Sequence, residues 1–238
     1  MDNSDFRNPV NQRGVIVSSN GLIVDRWYAF NRTDGTNDTA TLTADGIVTN
    51  GASYLQQRIP KGIIKDGEKY TLAVHYSDGT VDVNTNGEYM IFDGFDLVNY
   101  ITSNGKTIAS IALYEGEYTI DTLPKYQPKG YGAELVECQR YYQIINNGIG
   151  SVRTNEDKIL VTLPLCVSMR NEISVASATI ATVRANGLRI DNPEFEINAI
   201  AYVDYYSACV LELAGTFTGM RNGIAYIDGR FHLSAEFL

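Results

Sequence analysis

Lys69 to Tyr76 reads KYTLAVHY, a run rich in β-branched and aromatic residues that closes on Asp78-Gly79. Such a run suits a pleated, half-buried surface, and an Asp-Gly pair tolerates the positive φ of a tight hairpin. The same unit recurs along the chain. Thirteen of the twenty-one glycines follow Asn or Asp, as at Asn20-Gly21, Asp45-Gly46, Asn86-Gly87, Asn104-Gly105, Asn186-Gly187 and Asn222-Gly223. Between these turns lie further strand-like runs: Leu22 to Phe30, Thr107 to Tyr114, Lys158 to Met169, Glu194 to Val203, Ser207 to Phe217 and Ile224 to Phe237. Many short strands separated by turn residues predict an all-β protein built of sandwiches or barrels.

One segment departs from this rhythm. Ala133 to Ile145 (AELVECQRYYQII) has no turn residues and places Leu135, Cys138, Tyr142 and Ile145 at helical spacing, which predicts a single helix. Before it, Leu123 to Gly130 (LPKYQPKG) carries two prolines and reads as an ordered linker. The expected organisation is two β-sandwich modules. Residues 1–129 form a jelly-roll-like first module of about eight strands, and residues 130–238 form a helix followed by a second sandwich of about six.

Composition narrows the function. At 238 residues, 44% hydrophobic and 20% charged, the chain has the balance of a globular protein. Its formal charge of −9 opposes binding to nucleic-acid phosphates or anionic lipid. Sixteen tyrosines against nineteen Lys plus Arg point to strands and contact surfaces. Cys138, Cys166 and Cys209 are odd in number and lack CxxC spacing, so buried free thiols are expected rather than disulfides or a zinc site. The first residues resemble no signal peptide, and no stretch is long and apolar enough to span a membrane. Synthesis in a cytoplasm, with release by host lysis, is the expectation.

Several strings resemble a family of phage and prophage tail-fibre or appendage proteins whose N-terminal jelly roll is similar to carbohydrate-binding modules. They are Asn3 to Gly14 (NSDFRNPVNQRG) followed by Asp25-Arg26-Trp27-Tyr28, then Tyr54 to Pro60 (YLQQRIP), Ala112 to Glu117 (ALYEGE), and Gly130 to Leu135 running into Glu137 to Tyr142 (ECQRYY). The resemblance covers residues 3–142; the remainder is similar only in architecture. It implies a virion structural protein, oligomeric and often trimeric, that contacts other virion proteins and exposes its C-terminal module to a host-surface glycan. It supplies no catalytic residue. Because the chain starts almost at the first string, no separate docking domain is expected ahead of it, and the first module itself would be the anchor.

Chemistry-bearing patterns are few. His75 and His232 lie in strand runs without HExxH or ligand spacing, and no GxSxG, GxGxxG or P-loop string occurs. Asp93 with Asp96, and Glu115 with Glu117, are the acid pairs that a glycosidase would need, but Asp93-Gly94 and Glu115-Gly116-Glu117 read more simply as turns. The expectation is a non-enzyme without cofactor or metal. Sugar binding needs aromatic faces and planar polar groups, and Trp27, Tyr28, Tyr54, Gln57 and Arg58, alongside Gln56, supply them in the first module. Trp27, between Val24 and Phe30, is also a natural core residue. In the second module Tyr202, Asp204, Tyr205 and Tyr206 form a second candidate contact cluster. Arg140, Tyr141 and Tyr142 are candidate interface residues at the junction. Adhesion and pure architecture both remain open, with a polysaccharide-degrading enzyme as the lesser alternative.

Overall fold

The computed structural model describes residues 1–31, 38–50, 53–60, 62–65, 67–84, 89–91, 95–101, 105–152, 158–169, 174–185, 188–202, 208–215, 217 and 223–235. It is an all-β protein with one short helix, and the chain divides into two compact units, Met1–Cys138 and Gln139–Leu238.

The first unit begins with β1 (Val17–Ser18), β2 (Gly21–Val24), β3 (Trp27–Asn31), β4 (Ala40–Thr43), β5 (Gly46–Thr49) and β6 (Ser53–Pro60). It continues with β7 (Tyr70–Tyr76), β8 (Val81–Asn84), β9 (Tyr89–Ile91), β10 (Phe95–Ile101) and β11 (Thr107–Glu115). They form two antiparallel sheets, ordered β1-β4-β5-β11-β7-β8 and β2-β3-β6-β10-β9. Strict alternation decides which side chains go inward. On β3 and β6, Trp27, Ala29, Leu55 and Ile59 point into the core, while Ile47, Leu72, Val74, Ile108 and Ile111 meet them from the other sheet, so that one apolar cluster serves both. The expected run Leu22 to Phe30 is two strands. Asp25 and Arg26 turn the chain between them, and Arg26 takes a positive φ of 72°.

The helix α1 spans Tyr131–Gln139, shorter than expected. Tyr142 to Ile145 are strand: Tyr142 pairs with Ser234 and Ile145 with Phe231, and this ladder overrides the helical spacing. The helix belongs by contact to the first unit as far as Cys138, whereas the sequence reading attached it to the second. Its buried residues are Glu134 and Cys138, one turn apart.

In the second unit β12 (Tyr142–Val152), β13 (Lys158–Pro164), β14 (Ser174–Ala185), β15 (Leu188–Asp191), β16 (Phe195–Tyr202), β17 (Ala208–Gly215) and β18 (Gly223–Ser234) make a single antiparallel sheet, ordered β15-β14-β18-β12-β13-β17-β16. The expected sandwich is not what forms among the described residues. One curled sheet encloses its own core, with Ile159, Val161, Leu163, Val183, Leu211 and Phe231 all buried on its inner face. Register shifts lie between Asn146 and Gly148 on β12 and between Ile180 and Thr182 on β14, both beside Asp228 and Gly229 of β18. Bulges of this kind bend and twist a strand locally. At Gly229 an added Cβ would stand 2.6 Å from the Thr179 carbonyl oxygen, so the central strands approach closely only because a glycine is there.

The Asp45-Gly46 hairpin shows how tightly the turns are specified. Gly46 has φ +134°, and a Cβ on it would lie 2.0 Å from the Ile108 carbonyl oxygen. Gly46→Ala is expected to lower stability by about 3 kcal/mol or more, combining backbone strain with displacement of β11. Urea denaturation of the two proteins measures it; a loss below about 1 kcal/mol would show that β11 can yield.

Candidate functional site

Asn3 is almost wholly buried and has a positive φ of 53°, a conformation Asn accepts more readily than most residues. Its side chain imitates a strand partner. Oδ1 accepts the Val10 N–H at 2.7 Å, while Nδ2 donates to the carbonyls of Val10 at 2.8 Å and Asp25 at 2.7 Å. Its own N–H donates to Glu134 Oε2 of α1 at 2.7 Å, across 131 residues of sequence. Glu134 thereby has a reason to be buried in an apolar setting.

Neighbouring residues extend this network. The Asp2 carbonyl accepts from Gln57 Nε2 at 2.6 Å and Trp27 Nε1 at 3.2 Å, and the Asp2 N–H donates to Gln57 Oε1. Asp25 receives Gln12 Nε2 at 2.7 Å and Arg13 at 3.2 Å. The fully buried Arg26 donates to the Arg58 carbonyl and has its Nε 3.8 Å from Asp2. Phe6 sits edge-on to Trp27 at 5.2 Å.

These contacts decide the first set of candidates. Trp27 and Gln57 have no exposed surface and hold the N-terminal segment, so neither presents a face to a ligand. On the opposite face of the same sheet, Tyr28 stacks on Phe30 at 6.0 Å and Phe30 on Tyr54 at 5.6 Å, and Arg58 lies 5.4 Å over the Tyr28 ring. Tyr28 is nearly buried, and Tyr54 and Arg58 are half-buried. They form an aromatic ladder in which Phe30, Tyr54 and Arg58 are partly exposed and Tyr28 is covered.

A second arrangement involves none of the residues that the sequence marks as ligand contacts. Tyr126, within the linker, separates two cavities on the surface of the first unit. One, about 310 Å³, is lined by Ser4, Tyr114, Lys125, Gln127, Lys129 and Glu134 among others; the second, about 220 Å³, is lined by Arg7, His75, Thr80 and Ser110. The Tyr126 ring lies 5.4 Å from the His75 ring, and its hydroxyl is 3.4 Å from Ser4 Oγ. Burial pushes the Tyr126 phenol up and the His75 imidazole down from their ordinary values, with Arg7 adding to the effect on His75. Only the aromatic residue in a proline-bracketed linker could have signalled this groove.

In the second unit the outer face of the sheet carries Ile149 opposite Tyr226, with Ile224 two residues on, each about 60% exposed. A cavity of about 350 Å³ beside them is lined by Asn147, Arg184, Tyr226 and Asp228. At the junction Arg140 is exposed, but Tyr141 and Tyr142 are buried; the Tyr141 carbonyl accepts from Ala235, and the Tyr142 hydroxyl bonds His232 Nδ1. Those two tyrosines are packed within the chain and are not open to a partner. Of the second candidate cluster, Tyr202 ends β16 with its side chain outside the described set, and Asp204, Tyr205 and Tyr206 lie outside the described residues.

Glu115 and Glu117 do not converge on a cleft: each meets a lysine, Lys65 at 3.1 Å and Lys69 at 2.6 Å. Asp93 lies outside the described residues, as does the side chain of Asp96. Among the described residues no group of three or more His, Cys, Asp or Glu is placed to hold a metal ion. Cys138 and Cys209 are buried thiols, raised by burial, Cys209 to about 11. Cys166 is exposed, contrary to expectation. No known protein family, curated protein or solved structure matches this chain.

Two outcomes follow. Asn3→Ala strands the Val10 N–H and removes a donor from the Asp25 carbonyl, while the Val10 carbonyl keeps the Asp25 N–H at 3.1 Å; it is expected to cost about 3 kcal/mol in denaturant unfolding, and a loss under about 1 kcal/mol would mean that water replaces the amide. His75, whose folded pKa lies below the unfolded value, contributes stability that is complete above about pH 6.5 and is lost as pH falls through the folded value. The thermal midpoint should therefore fall between pH 7.5 and pH 5, and less steeply in His75→Gln; equal slopes would contradict it.

Proposed function

We propose that this chain is a structural component of a bacteriophage virion, a fibre or appendage protein that acts in attachment to the host surface, with carbohydrate as the class of contact. It works by binding and assembly, without turnover. The observation that carries this reading is where the family-like strings lie. Asn3 to Gly14, Asp25 to Tyr28, Tyr54 to Pro60 and Gly130 to Tyr142 are far apart in sequence, yet Asn3, Val10, Asp25, Trp27, Gln57 and Glu134 from those strings are joined in one buried network. The residues that carry the resemblance are here the residues that fasten the first unit together.

Attachment through weak sugar contacts gains from several copies held on one particle. The outer face of the second unit supports self-association. Ile149, Ile224 and Tyr226 form an exposed apolar strip, and Arg184 and Asp228 beside it carry opposite charges, so a second copy can match both its apolar and its charged parts. The same strip supports a second reading, in which the protein is a capsid or tail decoration without any ligand.

Immunogold labelling with an antibody to the chain is expected to decorate particles in a phage lysate, and the purified chain is expected to sediment as an oligomer that Ile149→Glu dissociates to a folded monomer with unchanged far-ultraviolet circular dichroism. Label confined to the particle-free fraction, or a monomer that binds neither cells nor virion proteins, would overturn the proposal.

A further inference from the structure

The groove on either side of Tyr126 has the parts of a saccharide site. We infer that it binds a neutral, hydroxyl-rich oligosaccharide of two or three rings, with Tyr126 as the platform between two subsites. This rests on the attachment reading and adds to it a place on the molecule and a ligand class.

Each cavity alone is small for a ligand site, and the two adjoin through one ring, which favours an elongated ligand over a compact one. That ring is held on both counts that matter for rigidity: His75 packs against it at 5.4 Å and the Ser4 hydroxyl lies 3.4 Å from its phenol. A fixed aromatic ring offers an apolar face to the C–H side of a pyranose at little cost in side-chain entropy. Around it the larger cavity mixes apolar wall with polar ends. Ala112, Leu113 and Tyr114 supply the former, and Lys125, Gln127 and the buried carboxylate of Glu134 the latter.

The charge balance selects a neutral ligand. Arg7 is paired with Asp5 at 3.0 Å and Lys129 with Asp2 at 3.5 Å, and the two charged side chains left in the lining of the larger cavity, Lys125 and Glu134, are opposite in sign. A lining with donors and acceptors in near balance suits hydroxyl groups, which both donate and accept, better than a carboxylate or phosphate, which only accepts. The linker from Pro124 to Lys129 then has a role beyond connection. The Tyr114 hydroxyl donates to the Pro124 carbonyl at 3.2 Å, which fixes the linker against β11 and sets the position of the platform.

The test is a titration of the full chain, by calorimetry and by NMR, against arrayed neutral di- and trisaccharides, with oligouronates and glycerol phosphate as charged comparators. Expected is binding to a neutral saccharide, with shifts at Ser4, Lys125 and Tyr126. Tyr126→Ala should weaken it by about tenfold or more, whereas Tyr126→Phe, which keeps the ring, should stay within about threefold. Near-ultraviolet circular dichroism verifies that both variants fold. Binding to none of the neutral saccharides, binding only to the charged ones, or undiminished binding by a folded Tyr126→Ala would overturn the inference. Adsorption to bacterial cells separates the two claims: adsorption equal in wild type and Tyr126→Ala removes the groove and leaves attachment standing. Saccharide binding without adsorption to cells or particles does the reverse.

Discussion

The first unit depends on a side-chain amide acting as backbone. Between residues 2 and 14 the chain is mostly not in a regular strand, so its N–H and C=O groups need partners that no ladder supplies. Asn3 provides them, bonding Val10 in both directions and capturing the Asp25 carbonyl. With the segment fixed, Phe6 donates its N–H to the Ala109 carbonyl and Ile111 donates to that of Ser4, which extends the pairing of β11 beyond β5. The Phe6 ring then closes the core over Trp27. The Asn3 N–H completes the set by meeting Glu134, which brings the helix to the same point. A buried polar network of this kind stabilises only when every member is satisfied, so it specifies one arrangement strongly and tolerates substitution poorly.

Much of the fold was legible in sequence because hairpins are local. Asn-Gly and Asp-Gly pairs marked turns, the runs between them marked strands, and the helix near Ala133 stood out by losing both signals. What escaped depends on partners far away. Asp25-Arg26 carries no glycine, so its turn was hidden inside an apolar run, and Arg26 reaches positive φ only because the network holds it. Tyr142 to Ile145 fit a helix by spacing and a strand by ladder, and only β18 decides between them. The bulges at Asn147 and Ala181 fall inside long strands of the second unit's sheet, where Asn147-Gly148 reads locally as a hairpin turn and only the pairing with β18 shows a bulge.

The candidate sites divide in the same way. Sequence found the residue types for sugar contact but could not tell inward from outward along β3 and β6. Trp27 and Gln57 fell on the inner face, whereas Tyr28, Tyr54 and Arg58 fell on the outer one. Tyr126 carries no pattern signal, because its segment has no period at all. Its exposure follows from the prolines on either side, which keep the linker out of any ladder and leave its side chains to the surface. Asn3, Asp25, Trp27, Gln57 and Glu134 fasten the scaffold, whereas Tyr126 stands outside that network.

Amide hydrogen exchange at Asn3 and Val10 tests the central claim most directly. If the Asn3 amide is the tie between the N-terminal segment and the helix, both amides should exchange only through global unfolding of the first unit, and Glu134→Ala should expose Asn3 while the ladders of β12 to β18 keep their protection. Exchange at Asn3 as fast as in an unfolded chain would contradict it.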